Sequence, residues 1–372
     1  MITTLYCPTR GVDFLRLTCV CDSPEPVSLT LASTCGGGGL QEIGSALEEN
    51  GLWFHRFEAN NLSPGTSFTI SAKPSNQPPV VLQTSTLAQP PGKPLFRFGI
   101  LADPHCCDIP TKYGRQFDES FALFSKYLGR LTALGAQCIF LPGDMTEQGT
   151  APQLARCHQA ISATPIPVHV MAGNHEHNPD LFRSVFSLET GYYSFEQAGQ
   201  RFICLQTATP RDLEPHTAQF AWLQEELAAA TEDIYIFSHY SLTQHPYLER
   251  ENGASISNCE QISQMLGRVP NVRAVFSGHK NVPTRTDCAG VAHLVCPQLV
   301  QTPCGFDLVD IYDGGLVRHL FEIDETNLDW RSRSAYPSVD EVHYRYGLEE
   351  GRNMSLFFTR DAPARRIMNA KC

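Results

Sequence analysis

A chain of 372 residues, 42% hydrophobic and 18% charged, has enough apolar material for a sizeable core and the length of about two domains, which excludes a disordered or fibrous protein. A net charge of −11 argues against a nonspecific nucleic-acid partner, since an acidic surface repels polyphosphate, but leaves room for a small phosphorylated substrate at a local cationic site. The opening MITTLYCPTRGVDF has no basic segment followed by an apolar one, and no uncharged apolar run approaches the roughly 18 residues of a span, so a soluble, cytoplasmic chain with no membrane partner is expected.

Short segments rich in β-branched and aromatic residues, 14–20, 27–31, 53–58, 67–71 and 80–84, are punctuated by Gly, Pro and Asn clusters such as the glycines at 36–39. They predict an all-β module over residues 1–92. The stretch 89–94, QPPGKP, cannot extend a helix or a central strand and reads as a linker. Beyond it, apolar strand-like runs (96–101, 138–141, 168–171) alternate with helical ones (117–134, 152–161). Further strands are expected at 202–205, 234–237, 272–276 and 291–295, and a helix at 218–229. Continuous apolar strands between amphipathic helices imply an α/β fold of buried, layered sheets flanked by helices over residues 95–325. After that the periodicity weakens, and the tail, 326–372, reads as a lid, an oligomer contact or a packing arm. The fourteen cysteines are scattered, several within apolar runs (Cys138, Cys204, Cys296), which suits buried thiols rather than a disulfide framework or a thiolate metal site.

Five motifs carry the chemistry: Asp103-Pro104-His105, Gly143-Asp144, Gly173-Asn174-His175-Glu176, His239, and Gly278-His279-Lys280-Asn281. Each follows an apolar strand-like run, where loops of a layered α/β fold converge on one point. Singly each is weak, because a lone DxH or GD is more often a turn. The ordered set is specific, and its gaps leave room for a crossover unit or more between motifs.

This order resembles the calcineurin-like metallophosphoesterases, whose signature is DxH, GDxx, GNH[DE], H and GHxH. The resemblance implies a layered β-sandwich and phosphate-ester hydrolysis at two metal ions. It also implies one site of Asp103, His105 and Asp144, a second of Asp144, Asn174, His239 and His279, and Asp144 as bridge. Mixed N and O donors without thiolate favour Mn, Fe or Zn. Two cations sharing a water supply a bridging hydroxide nucleophile and neutralise the phosphoryl oxygens. His175 stands where many relatives protonate the leaving oxygen or bind phosphate. Glu176 is expected to orient a ligand histidine through its second nitrogen.

Asn281 replaces the closing histidine, so either its amide oxygen ligates more weakly than an imidazole or water fills the place; either way the first site is expected to be the looser one, and replacement by His is expected to tighten it. Glu147 occupies the place of the tyrosine in the GDxxY of purple acid phosphatases, so an iron charge-transfer site of that type is not expected. Lys112 and Arg115 are candidate phosphate contacts, Cys106 and Cys107 candidate site-lining residues, and His177, His245 and His293 candidates for the pocket or its rim. The segment 62–68, LSPGTSF, resembles the fibronectin type III turn, with Phe68 in place of tyrosine. Ala221-Trp222-Leu223, Cys296-Pro297 and Gly305-Phe306 look closest to the cyclic-nucleotide and glycerophosphodiester phosphodiesterase branch. The readings weighed are a small-phosphodiester hydrolase, a phosphomonoesterase or nucleotidase on the same metals, and a scaffold that has lost turnover. Oligomerisation through the β module or the tail is left open.

Overall fold

Alternation builds the first module. In β2 (Leu15–Cys21), Leu15, Leu17, Cys19 and Cys21 share one face, and in β6 (Ser67–Lys73) Phe68, Ile70 and Ala72 do the same. Both faces belong to one core, so the sheet β1 (Ile2–Arg10), β2, β5 (Trp53–Ala59), β4 (Leu40–Leu47) and the sheet β3 (Ser28–Ala32), β6, β7 (Val80–Ser85) enclose it as two antiparallel layers. The computed structural model describes residues 1–33, 40–73, 78–112 and 114–358. The glycines at 36–39 and the end of the tail lie outside them.

The rest of the chain forms two six-stranded sheets face to face. One runs β10 (Val168–Met171), β9 (Cys138–Pro142), β8 (Pro94–Ile100), β17 (Gly305–Tyr312), β18 (Gly315–Glu322), β19 (Met354–Phe357), with β8, β9 and β10 parallel. The other runs β11 (Tyr193–Gln197), β12 (Gln200–Cys204), β13 (Asp233–Ser238), β14 (Val272–Ser277), β16 (Val291–Val295), β15 (Thr284–Cys288), with β12, β13, β14 and β16 parallel. Alternate residues fill the space between them: Phe98, Phe140, Phe202, Phe237 and Phe276 form an aromatic core, with Phe140 stacked on Phe237 at 3.7 Å.

The opposite faces carry helices. Ile139 and Leu141 point to α1 (Ser120–Ala133), α2 (Ala151–Ser162) and α3 (Pro179–Phe186), while Ile234 and Ile236 point to α4 (Ala218–Ala229) and α5 (Cys259–Gly267). Burial on both faces is why these strands read as continuous apolar runs.

Residues 326–358 pack as an arm of three short helices, α6 (Thr326–Ser334), α7 (Val339–Arg345) and α8 (Glu349–Arg352), ending in β19 on the edge of β18. The fully buried Arg318 ties it down, pairing with Asp307 at 2.7 Å and donating to the carbonyls of Gly351 (2.6 Å) and Val295 (2.8 Å). The arm also reaches the β module, where Arg333 pairs with Glu48 at 2.5 Å and Asn353 donates to the Pro8 carbonyl at 2.9 Å. The proline-rich stretch is packed as well: Gly314 N–H donates to the Pro91 carbonyl, and Pro94 opens β8, the strand position where a missing N–H costs least. Among the described residues no helix is long and apolar enough to cross a membrane.

Candidate metal centre

The loops after β8, β9, β10, β13 and β14 meet at the carboxyl ends of the two sheets and bring six of the seven expected ligands together, with His175 beside them. Their backbones are strained: Asp103, His105, Asp144 and His279 take φ of +45°, +43°, +45° and +66°. Such conformations cost on the order of 1–3 kcal/mol each and persist only where surroundings over-determine them. Here hydrogen bonds between the loops do so. His105 N–H donates to the Asp144 carbonyl (3.0 Å), His175 N–H to Asp144 Oδ1 (2.9 Å), and His279 N–H to both Asp103 oxygens (3.1 and 2.9 Å). Gly143, at φ +91°, has no alternative: a Cβ there would overlap the His239 ring and sit 2.9 Å from Gly173 Cα.

Asp144 is the hinge of the arrangement. Its Oδ2 lies 3.8 Å from His105 Nε2 and 3.9 Å from His175 Nε2, while Oδ1 lies 3.3 Å from His239 Nε2. Two donor groups therefore share it, Asp103, His105 and Asp144 on one side and Asp144, His239 and His279 on the other, each within 4.8 Å internally.

Ring nitrogens face inward. His239 Nδ1–H donates to the Pro142 carbonyl (2.9 Å), so Nε2 faces two oxygens, Asp144 Oδ1 and Asn174 Oδ1 (3.0 Å), which its proton satisfies in the metal-free cluster and which a cation would satisfy in its place. His279 Nε2–H donates to the Gly253 carbonyl (3.1 Å), leaving a buried Nδ1 with no hydrogen-bond partner among the described residues. His105 Nε2 is buried with no hydrogen-bond partner among the described residues, while its Nδ1 has the Glu147 carboxylate 2.8 Å away on the outer edge of the ring. Orphaned imidazole nitrogens beside carboxylates are what a divalent cation would satisfy, and the donor set fits the implied metals.

Charge in the metal-free cluster is divided accordingly. Burial pushes Asp103 up to about 8, against the pull of His239. Burial, then the Arg115 charge, holds His105 down to about 4. Burial opposes protonation of His239 but the Asp144 carboxylate prevails, raising it to about 9. For Asp144, burial acts upward and is outweighed by His239, His105 and His175, so it stays ionised.

Several expectations change on contact with the geometry. Asn281 is buried with its amide committed to backbone: Nδ2 donates to the Gln301 and Thr302 carbonyls, both at 2.6 Å, and Oδ1 accepts from Gln298 N–H at 2.8 Å. It brackets two loops instead of offering itself as a ligand. Replacing it with His is therefore expected to cost about 2–4 kcal/mol in urea unfolding, because buried partners lose their bonds. Unchanged stability with a tighter first site would restore the ligand reading.

Glu176 does not orient a histidine: its oxygens accept from Thr146 N–H (2.9 Å), Thr146 Oγ1–H (2.9 Å) and Gly173 N–H (2.8 Å), fastening the GD loop to the GNH loop. His245, buried, bonds Ser241 Oγ (2.8 Å) and Thr286 Oγ1 (2.9 Å), and His293 is buried within β16, so neither lies on a rim. Cys106 is core, its Sγ against the Ser120 carbonyl, and Cys107 is buried too. His177 is exposed, its ring centroid 6.1 Å from that of His175. Lys280 Nζ lies 3.6 Å from Glu251. Sequence reasoning passed over Tyr240, whose hydroxyl donates to Asn174 Oδ1 at 3.2 Å; its position next to His239 was the available signal.

The model of the calcineurin-like phosphoesterase family matches residues 96–283, and the chain belongs to that family. It is 24% identical over 149 residues to a probable cyclic nucleotide phosphodiesterase of Fibrobacter succinogenes, covering 38% of this chain and 56% of that protein. A probable cyclic nucleotide phosphodiesterase of Synechococcus sp. is 23% identical over 225 residues, covering 58% of this chain and 83% of that one. The chain thus spans little more than half the length of the first of these relatives. A purple acid phosphatase from yellow lupin (Lupinus luteus) seeds superposes with a TM-score of 0.48 at 13% identity, covering 91% of this chain and 76% of that chain.

Proposed function

We propose that this protein hydrolyses a small phosphodiester at a centre of two metal ions, Mn, Fe or Zn by donor type. The observation that carries the reading is Asp144, whose two oxygens face different histidines, His105 and His175 on one side and His239 on the other. When bound, two cations supply charge for the phosphoryl oxygens and acidify a water so that it attacks near neutral pH. Asp103 and His105 would hold one cation, Asn174, His239 and His279 the other, and Asp144 would touch both.

His175 is assigned the leaving oxygen. Its Nδ1–H donates to the Glu147 carbonyl at 2.7 Å, which leaves Nε2 facing the centre, and the side chain is partly open to solvent and substrate. The diester preference rests on the relatives named as probable cyclic nucleotide phosphodiesterases. With metal added, bis-p-nitrophenyl phosphate is expected to be hydrolysed faster than p-nitrophenyl phosphate. A monoester preference would move the assignment to a phosphatase or nucleotidase, and no turnover of either would favour a scaffold.

A further inference from the structure

Glu147 is the side chain at the centre that the proposed reaction leaves without a role. Its carboxylate, 14% exposed, meets three groups: Oε2 is 2.8 Å from His105 Nδ1, 3.4 Å from His175 Nδ1 and 3.3 Å from Arg115 Nη1. His105 turns its other nitrogen, Nε2, toward Asp144. The ring thus has an inner edge for a cation and an outer edge for Glu147. His105 and His175 lie edge to face with centroids 4.8 Å apart, so one carboxylate reaches both.

We propose that Glu147, held by Arg115, is the positioning residue of the first metal site, orienting His105 as a ligand. A cation on Nε2 leaves the neutral imidazole its proton on Nδ1, and that proton then has Glu147 as acceptor. In the metal-free ring this contact is close but out of line, since neither nitrogen of His105 makes a hydrogen bond among the described residues. A carboxylate behind a ligating histidine sets tautomer and ring angle and raises basicity.

Arg115 is placed to keep that carboxylate in position. Its backbone exchanges hydrogen bonds with Lys112 (3.0 and 3.4 Å), its neighbour Gln116 donates to the Val300 carbonyl, and its side chain is 19% exposed. Direct ligation by Glu147 is the rival, because His105, Glu147 and His175 also offer donor atoms within 4.8 Å of one another. The opposite edges of His105 favour the positioning role: the nitrogen facing Glu147 is the one facing away from Asp144.

This inference rests on the metal-centre reading, and one experiment separates the two. Full-length chelator-stripped protein is titrated with Co²⁺, reading both affinity and the visible d–d absorption, for the native chain, Glu147→Gln, Arg115→Gln and the double variant. Matched circular dichroism and melting of the stripped proteins establish that all four are folded. Glu147→Gln is expected to weaken one site by about 10–100-fold with the band shape kept, since the ligands themselves are unchanged. Arg115→Gln is expected to weaken the same site less, and the double variant to match Glu147→Gln, because arginine acts through the carboxylate.

Equal affinities in native chain and Glu147→Gln would overturn the proposal. A changed band shape would also overturn it, in favour of direct ligation. A native chain that binds one cation, weakened by Glu147→Gln, would sink the two-metal reading and sustain this one. No cation bound would sink both.

Discussion

Asp144→Asn is expected to lower hydrolysis about 10³-fold or more and to reduce bound metal below two per chain, while circular dichroism stays native. The magnitude follows from the several kcal/mol that a bound cation contributes to transition-state charge. An asparagine has one oxygen where the carboxylate has two, and its amide nitrogen cannot ligate. One of the two contacts, toward His105 and His175 or toward His239, is lost along with the charge. The fold is supported elsewhere, since its aromatic core lies between the sheets and not in the loops. Elemental analysis together with turnover checks this. Full metal content in the variant would place the shared ligand at another residue.

The second large effect is expected from the smallest change. A Cβ on Gly173 would overlap both Asp144 Oδ1 and the Asp144 amide nitrogen, so Gly173→Ala must push the GNH loop away from the GD loop. Displacement near 1 Å at a reacting centre is enough for about a 100-fold loss of kcat/KM, and crowding of this kind costs about 1–3 kcal/mol of stability. Gly129→Ala is the control. That glycine lies in α1 with open space around its Cβ position, so alanine is expected to stabilise by about 0.5–1 kcal/mol and leave activity unchanged. Urea unfolding and steady-state kinetics on both variants separate a site effect from a general one; native activity in Gly173→Ala would mean that the loops adjust freely.

The centre was legible in the sequence because its signal is local. Asp103, Asp144, Asn174, His239 and His279 each follow a strand buried on both faces, and such strands read as unbroken apolar runs. What stayed hidden depends on which distant group each side chain meets. Asn281 stands at a ligand's spacing, yet the carbonyls of Gln301 and Thr302 claim it. Glu147 and Glu176 are both acidic residues beside the motifs. Only the path of the GD loop decides that Glu176 fastens backbone while Glu147 faces histidines.

The hairpin of β17 and β18 escaped for a different reason. Asp307, Asp310, Arg318 and His319 interrupt its apolar pattern as if facing solvent, but they are buried and satisfied by one another: Arg318 pairs with Asp307, and His319 with Asp310 at 3.1 Å. Buried charge pairs defeat periodicity, because pattern reading equates charge with exposure. β19 was missed likewise, since four residues are too short a run to show a period and owe their place to pairing with β18.

The central claim is a two-metal centre hinged on Asp144, and stoichiometry tests it most directly. Chelator-stripped protein is titrated with Mn²⁺ in a calorimeter, and hydrolysis of bis-p-nitrophenyl phosphate is followed at each ratio. Binding of two equivalents, with turnover rising as the second enters, is the expected result. Saturation at one equivalent with full turnover, or turnover that survives complete metal removal, would contradict it.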